Sequence, residues 1–397
     1  MIKREEYLNK LITFKDKELI KVITGIRRCG KSTLFKIFQN YLLENGIEKS
    51  QIININFEDI QFEHLADYRV LYSEISKQLL PDKKNYIFLD EIQHVKNFEK
   101  AVDGLFIKGN VDLYITGSNA FFLSGELATL LSGRYIEISM LPLSFKEFSS
   151  ALSKDISKEA KFSKYLSEGG FPYLINLPDE QAKRDYLEGI YNTIVLKDIV
   201  KRKNIADVGV LESIIKYIFD NVGNQTSVKK ISDTLTSFGE KVSSPTVESY
   251  LNALCDSFII NKISRYDISG KQFLKTLEKY FVTDLGLQRF LLNNNKQNLG
   301  HNLENIVFLE LKRRGFKVYT GKIGELEIDF IAEGNGNKFY FQVAQSVLDE
   351  KTLERELKSL DNIKDHNQKF LLTMDNLPEV SHNGIRQMNV IDWLLNK

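Results

Sequence analysis

The residues Gly25-Ile26-Arg27-Arg28-Cys29-Gly30-Lys31-Ser32 match the pattern G-x-x-x-x-G-K-[ST] at every required position. A segment of this kind can hold a nucleoside triphosphate, here expected to be ATP, together with Mg²⁺. Glycines at both ends of the loop leave room for backbone N–H groups to wrap phosphate oxygens. Lys31 reaches the terminal phosphates, the Ser32 hydroxyl is a metal ligand, and Thr33 completes the binding segment. The second chemical signal is Asp90-Glu91, which closes the apolar run Tyr86-Ile87-Phe88-Leu89. Asp90 is suited to hold Mg²⁺ through its water shell, and Glu91 to polarise an attacking water as general base. Acids are common at strand ends, but a phosphate loop upstream gives this pair a task.

Three further positions could serve the same chemistry. Gly117-Ser118-Asn119 follow an apolar stretch ending at Thr116. Ser118 or Asn119, with Thr116 a weaker candidate, could sit beside the γ-phosphate; a helix cap or turn would use the same residues. Arg134 precedes another strand-like run. Either it reaches a nucleotide, usually that of a neighbouring subunit, or it is a surface arginine. Cys29 is filler within the loop, or an oxidisable thiol able to block nucleotide.

These residues need elements to position them. Residues 21–24 form a short apolar strand leading into the loop, and Leu34, Phe35, Ile37, Phe38, Tyr41 and Leu42 recur at helical spacing, with Gly46 as terminator. The helix N-terminus adds partial positive charge where phosphates would lie. Further strands fit residues 51–57, 86–89, 111–116 and 135–139, with a helical stretch at 125–131. Strands and helices alternate from about residue 20 to 140, which predicts an α/β fold with a mainly parallel sheet and helices on both faces. The acid pair is expected adjacent to the strand of the phosphate loop.

The phosphate loop, Phe88-Leu89-Asp90-Glu91-Ile92-Gln93, Ile115-Thr116-Gly117-Ser118 and Leu141-Pro142-Leu143-Ser144-Phe145-Lys146-Glu147-Phe148 together resemble the prokaryotic AAA-family ATPases that carry a C-terminal DUF4143 region. The resemblance extends over nearly the whole chain. It implies an AAA-type P-loop ATPase domain (1–148), a helical lid or linker (149–206), a winged-helix domain (207–295) and a nuclease-like domain (296–397).

Composition narrows the partners. The chain has 397 residues, enough for two or three domains. A formal net charge of +1 provides no global field toward nucleic acid or membrane. Cys29 and Cys255, far apart in sequence, argue against a disulfide framework. No signal-peptide core follows Met1, and no apolar run is long enough to span a bilayer, so a cytoplasmic protein without a membrane partner is expected.

In the middle of the chain, residues 186–203 read as one helix ending in Lys201-Arg202-Lys203. Three helices then fit 209–220, 227–238 and 244–257, with Ser227 and Ser244 as N-caps and Pro245 at the first helical position. Strands at 258–266 and 279–283 follow. Helix, helix, helix, hairpin is winged-helix order, in which the third helix often enters the major groove of DNA. Its outward residues Thr246, Glu248, Ser249 and Asn252 include no Lys or Arg, whereas phosphate contacts come from those two. Lys229, Lys230, Lys241, Arg265 and Lys271 could contribute from neighbouring elements. DNA binding, protein contact and a rigid spacer all remain open for this region, as does a homo-oligomer.

A helix at 302–314, strands at 316–320, 326–332 and 339–344, a helix at 349–360 and a strand at 370–374 resemble the PD-(D/E)XK nuclease core. That resemblance implies a metal site at Glu304 and Asp329, with Gln342-Val343-Ala344 at the triplet that normally ends in lysine. Strand alternation puts Gln342 and Ala344 on one face, so Ala344 stands where the lysine belongs. No lysine lies close by on that face, and Arg355, on the following helix, could substitute. A structural or binding role is favoured over cleavage. The simpler account makes Glu304 a first-turn helix acid and Asp329 a strand-end acid.

Overall fold

A computed structural model describes residues 2–117, 131, 133–200, 205, 207–292, 298–334 and 336–396. The chain divides into two compact units, Met1–Pro142 with Asp256–Phe258, and Leu143–Cys255 with Ile259–Lys397.

The first unit runs α1 (Glu5–Phe14), β1 (Ile20–Thr24), α2 (Lys31–Glu44), β2 (Ile52–Asn56), α3 (Tyr68–Gln78), β3 (Asn85–Asp90), α4 (Phe98–Phe106), β4 (Val111–Thr116) and β5 (Tyr135–Ser139). All strand pairings are parallel, in the order β2-β3-β4-β1-β5. The acid-bearing β3 is therefore not adjacent to β1, as the sequence suggested; β4 lies between them. Strand alternation sorts the side chains into two cores. Ile20, Val22, Ile87, Leu89, Leu113 and Ile115 pack with α3 and α4. On the opposite face, Phe88 and Tyr114 stack at 4.8 Å and meet Phe35 and Phe38 of α2 at 5.0–6.1 Å. Helix α2 ends where expected, with Gly46 in the left-handed region at φ 86°.

In the second unit, α5 (Phe145–Ala151), α6 (Lys158–Glu168) and α7 (Glu180–Asn192) come first. The single helix expected over 186–203 is not one regular helix. It passes at Thr193 into a π-helical stretch, Thr193–Val200, and residues 201–204 lie outside the described residues. Thr193 donates its hydroxyl to the Gly189 carbonyl at 2.7 Å, and the β-branched run Thr193-Ile194-Val195 disfavours a tight α-turn.

Helices α8 (Val208–Asp220), α9 (Val228–Ser237) and α10 (Ser244–Asp256) follow, then β6 (Ile260–Asp267) and β7 (Gln272–Val282) as an antiparallel hairpin. Ser227 caps α9 as expected. For α10 the cap is Ser243, whose hydroxyl accepts from the Thr246 N–H; Ser244 is already helical, so Pro245 falls one position later than anticipated.

Helices α11 (Leu285–Leu292) and α12 (Leu299–Arg313), strands β8 (Lys317–Ile323), β9 (Leu326–Gly334) and β10 (Asn337–Ala344), α13 (Glu350–Asp361), β11 (Gln368–Thr373), β12 (Val380–His382), β13 (Ile385–Asn389) and α14 (Val390–Leu395) complete the unit. One eight-stranded sheet, β12-β13-β11-β10-β9-β8-β6-β7, runs through it. The division expected at 295/296 cuts across this sheet. Arg265–Asp267 of the hairpin pair in parallel with Thr320–Lys322 of β8, which satisfies backbone groups on an otherwise open edge. Among the described residues, no helix is long and apolar enough to cross a membrane.

Candidate functional site

The C-terminal ends of β1, β4 and β3 lie in register along one sheet edge, with Ile23 beside Thr116 and Leu89 beside Ile115. The chain leaves β1 through Gly25 and enters α2 at Gly30, whose φ of 106° and ψ of 21° are left-handed. Gly25 is required for a different reason: a Cβ there would lie 2.1 Å from the Met140 carbonyl oxygen. Lys31, at the first position of α2, is buried, and its Nζ donates to the carbonyls of Gly25 at 3.1 Å and Ile26 at 3.4 Å.

Strand alternation puts Asp90 and Thr116 on the α2 side of the sheet, where the Ser32 hydroxyl lies close enough to the Asp90 carboxylate to favour its charged form. Thr116 donates its hydroxyl to Asp90 Oδ1 and accepts from the Glu91 N–H at 2.9 Å. Burial raises the Asp90 carboxyl above its ordinary range, against the opposing effect of those two hydroxyls. Glu91 adopts a left-handed conformation, φ 55° and ψ 47°, uncommon for a residue with a side chain. Its carboxylate meets Lys31 Nζ at 3.6 Å and accepts from Gln93 Nε2 at 2.5 Å. Lys31, Ser32, Asp90 and Glu91 thus converge, and the arrangement fits a phosphate chain with a hard divalent cation: left-handed glycine loop, lysine, hydroxyl and buried carboxylate.

The Thr116 hydroxyl, the weaker candidate for a place beside the γ-phosphate, is engaged by both residues of the acid pair. Ser118 and Asn119 lie outside the described residues. Arg27 pairs with Glu58 at 3.2 Å, and Arg28 is exposed with φ 64°. The Cys29 thiol is fully buried, and burial raises its pKa, which leaves it without thiolate character and in keeping with filler. Arg134 sits at the start of β5, beside Ile20, whereas the loop leaves the other end of β1 beside Ser139. Its guanidinium lies 5.9 Å from the Phe106 ring. Arg134 therefore does not enter the site of its own chain.

Behind the loop lies a brace that no sequence motif marks. Arg4, 3% exposed, donates to the carbonyls of Cys29 at 2.8 Å and Leu141 at 2.7 Å, and the Tyr7 hydroxyl accepts from the Leu141 N–H. No local pattern marks Arg4, because its partners lie 25 and 137 residues away.

In the second unit, Glu304 and Asp329 do not have the terminal positions that the simpler account assigned them. Glu304 is mid-helix, because α12 opens at Leu299 with Asn298 as its cap, and Asp329 is mid-strand in β9. Asp329 accepts from the Val343 N–H at 2.8 Å; Gln342 donates to Glu356 at 2.9 Å. Arg355 pairs with Glu356 at 2.7 Å and its side chain is exposed, so it does not replace the absent lysine. A lysine does reach the cluster, contrary to expectation, from β7: Lys279 Nζ meets Glu304 at 3.3 Å and Glu327 at 2.5 Å. Burial alone would lower the Lys279 pKa, but Glu304, Asp329 and Glu327 outweigh it and raise it. Burial pushes the Asp329 carboxyl well above its ordinary range, and Glu304 adds to the shift. Among the described residues, no group of three or more His, Cys, Asp or Glu side chains has the geometry to hold a metal ion.

Residues 17–149 match an AAA domain family (AAA_14), and residues 159–298 match a domain of unknown function, DUF8612. The expected DUF4143 identity has no counterpart in these matches. An uncharacterized protein of Haemophilus influenzae is 43% identical over the whole of this chain and 99% of its own length. An uncharacterized protein of Methanocaldococcus jannaschii is 35% identical, covering 94% of this chain and 85% of its own length. Among solved structures, a Walker-type ATPase of Pyrococcus abyssi is similar in fold with a TM-score of 0.50 at 17% identity, over 73% of this chain and 96% of that one.

Proposed function

Because this chain belongs to the family of the Haemophilus influenzae protein and carries an AAA domain, we propose that it is an ATP-hydrolysing regulatory ATPase whose nucleotide cycle acts on its own C-terminal half. The convergence of Lys31, Ser32, Asp90 and Glu91 on one sheet edge carries this reading. In it, the loop N–H groups and Lys31 would hold the phosphates, and Ser32 and Asp90 would hold Mg²⁺, which when bound supplies charge neutralisation at the phosphate oxygens. Glu91 accepts the proton of the attacking water. Arg134, remote from its own loop, serves the nucleotide of a neighbouring copy, so the working form is a homo-oligomer.

Residues 208–282 are read as a winged helix, supported by three helices followed by a hairpin. The absence of Lys and Arg on the outward face of Ser244–Asp256 favours a protein partner over duplex DNA there. Salt-dependent duplex binding abolished by Lys229→Ala and Lys230→Ala would reverse that preference. Residues 299–373 are read as a non-cleaving relative of the PD-(D/E)XK core, supported by their element order and by Ala344 at the lysine position.

The test of nucleotide recognition is titration with a fluorescent ATP analogue and Mg²⁺. Wild type is expected to bind, and Lys31→Ala to bind at least tenfold more weakly. Equal affinity in a folded Lys31→Ala protein would refute the assignment of the loop.

A further inference from the structure

Three observations bring the hairpin strand β7 to the acids of α12 and β9. The rings of Phe281 on β7, Phe308 on α12 and Phe330 on β9 pack together, with centroids 4.7 Å and 5.6 Å apart from Phe281. Asn305 of α12 completes the backbone of β7, accepting from the Val282 N–H at 2.8 Å and donating to the Val282 carbonyl at 3.0 Å. Two residues before Phe281, and so on the same side of the strand, Lys279 is 5% exposed, with its ammonium on Glu304 and Glu327. Glu327 and Asp329 also share a face, being two apart on β9.

The cluster therefore already contains a cation. We infer that Lys279 is a built-in replacement for a divalent metal ion: its ammonium holds together carboxylates from α12 and β9 and fastens the hairpin to them. Two physical arguments support the assignment. Carboxylates taken out of water must be compensated by a partner charge, and Lys279 lies within contact of two of them. An ammonium at that position also excludes a metal by repulsion and by occupying the carboxylate oxygens a metal would need. Of the neighbouring polar groups, Asp329 accepts from the Val343 N–H, Gln342 donates to Glu356, Gln225 donates to Glu327, and His301 Nδ1 lies 3.4 Å from Glu304. The site is closed by a residue 50 positions before Asp329, which makes the hairpin part of the C-terminal core. It does so whether or not the first unit hydrolyses ATP.

The test uses the full chain without nucleotide. Wild type is expected to show no Mn²⁺ binding in equilibrium dialysis that Asp329→Asn removes, and no Mn²⁺-specific gain in melting temperature. Lys279→Met is expected to melt several degrees lower and to recover most of the difference on adding Mn²⁺. The double variant Lys279→Met with Asp329→Asn is expected to lose that response. The inference is overturned by a wild-type Mn²⁺ site sensitive to Asp329→Asn, or by a folded Lys279→Met protein indifferent to Mn²⁺. Should Lys279→Met fail to fold, the wild-type dialysis decides alone.

Discussion

Thr116 shows how the two acids of the site are set against each other. One hydroxyl serves both: it donates to the Asp90 carboxylate and accepts from the Glu91 backbone, which is held left-handed. A left-handed non-glycine residue costs roughly 1–3 kcal/mol and persists only where its surroundings enforce it. Thr116→Val removes the bond to Asp90 and the acceptor for Glu91 N–H while keeping the shape. Turnover of MgATP is expected to fall about tenfold or more, with stability lowered by about 1–3 kcal/mol in urea unfolding. Unchanged turnover would show that Glu91 needs no such support. The loop residues and Asp90-Glu91 were legible in sequence because each is a contiguous signal. Thr116 was not legible in this role, because its partners adjoin it only through the order of the strands.

At the scale of elements, aromatic packing between α2 and the strands sets the distance from Ser32 to Asp90. Phe88 touches Phe35, Phe38 and Tyr114, so Phe88→Ala is expected to destabilise the protein by about 3–5 kcal/mol and to weaken nucleotide binding with it. Loss of stability with unchanged nucleotide affinity would separate that packing from the site. A second joint, in the other unit, is Asp284. Its carboxylate accepts from the N–H groups of Gly170 at 2.6 Å and Leu287 at 3.0 Å, and a Cβ at Gly169 would come within 2.3 Å of it. Burial raises Asp284 from 3.8 to about 6, against the lowering effect of those backbone donors. The folded state thus binds this proton more tightly than the unfolded chain. The stabilisation is complete below about pH 4 and is lost as pH rises through about 6, a swing of about 3 kcal/mol at most. Chemical unfolding at pH 5 and pH 7 should show wild type losing stability over that interval, and Asp284→Asn losing less; parallel behaviour would contradict the assignment. Strand and helix positions were mostly legible from periodicity. Their partnerships were less so: nothing near residue 279 announces that Lys279 will meet Glu304, because the pairing depends on a hairpin joining a sheet built later in the chain.

For the whole molecule, the position of Arg134 makes a prediction about assembly. A chain with Arg134→Ala retains its own acids but offers no arginine, whereas one with Glu91→Gln offers the arginine but lacks the base. If arginine acts between copies, mixing the two inactive variants should restore a measurable fraction of turnover. No restoration would place Arg134 outside catalysis. The division of the chain was only partly legible, since the family resemblance implies a boundary at 295/296 that sheet pairing through Arg265–Asp267 crosses. Steady-state release of phosphate from MgATP decides whether the convergent loop and acids hydrolyse ATP. Wild type should turn over, while Glu91→Gln should bind nucleotide normally and hydrolyse it about 10²-fold or more slowly. Equal turnover in the two proteins, or none in wild type, would mean that these residues do not hydrolyse ATP.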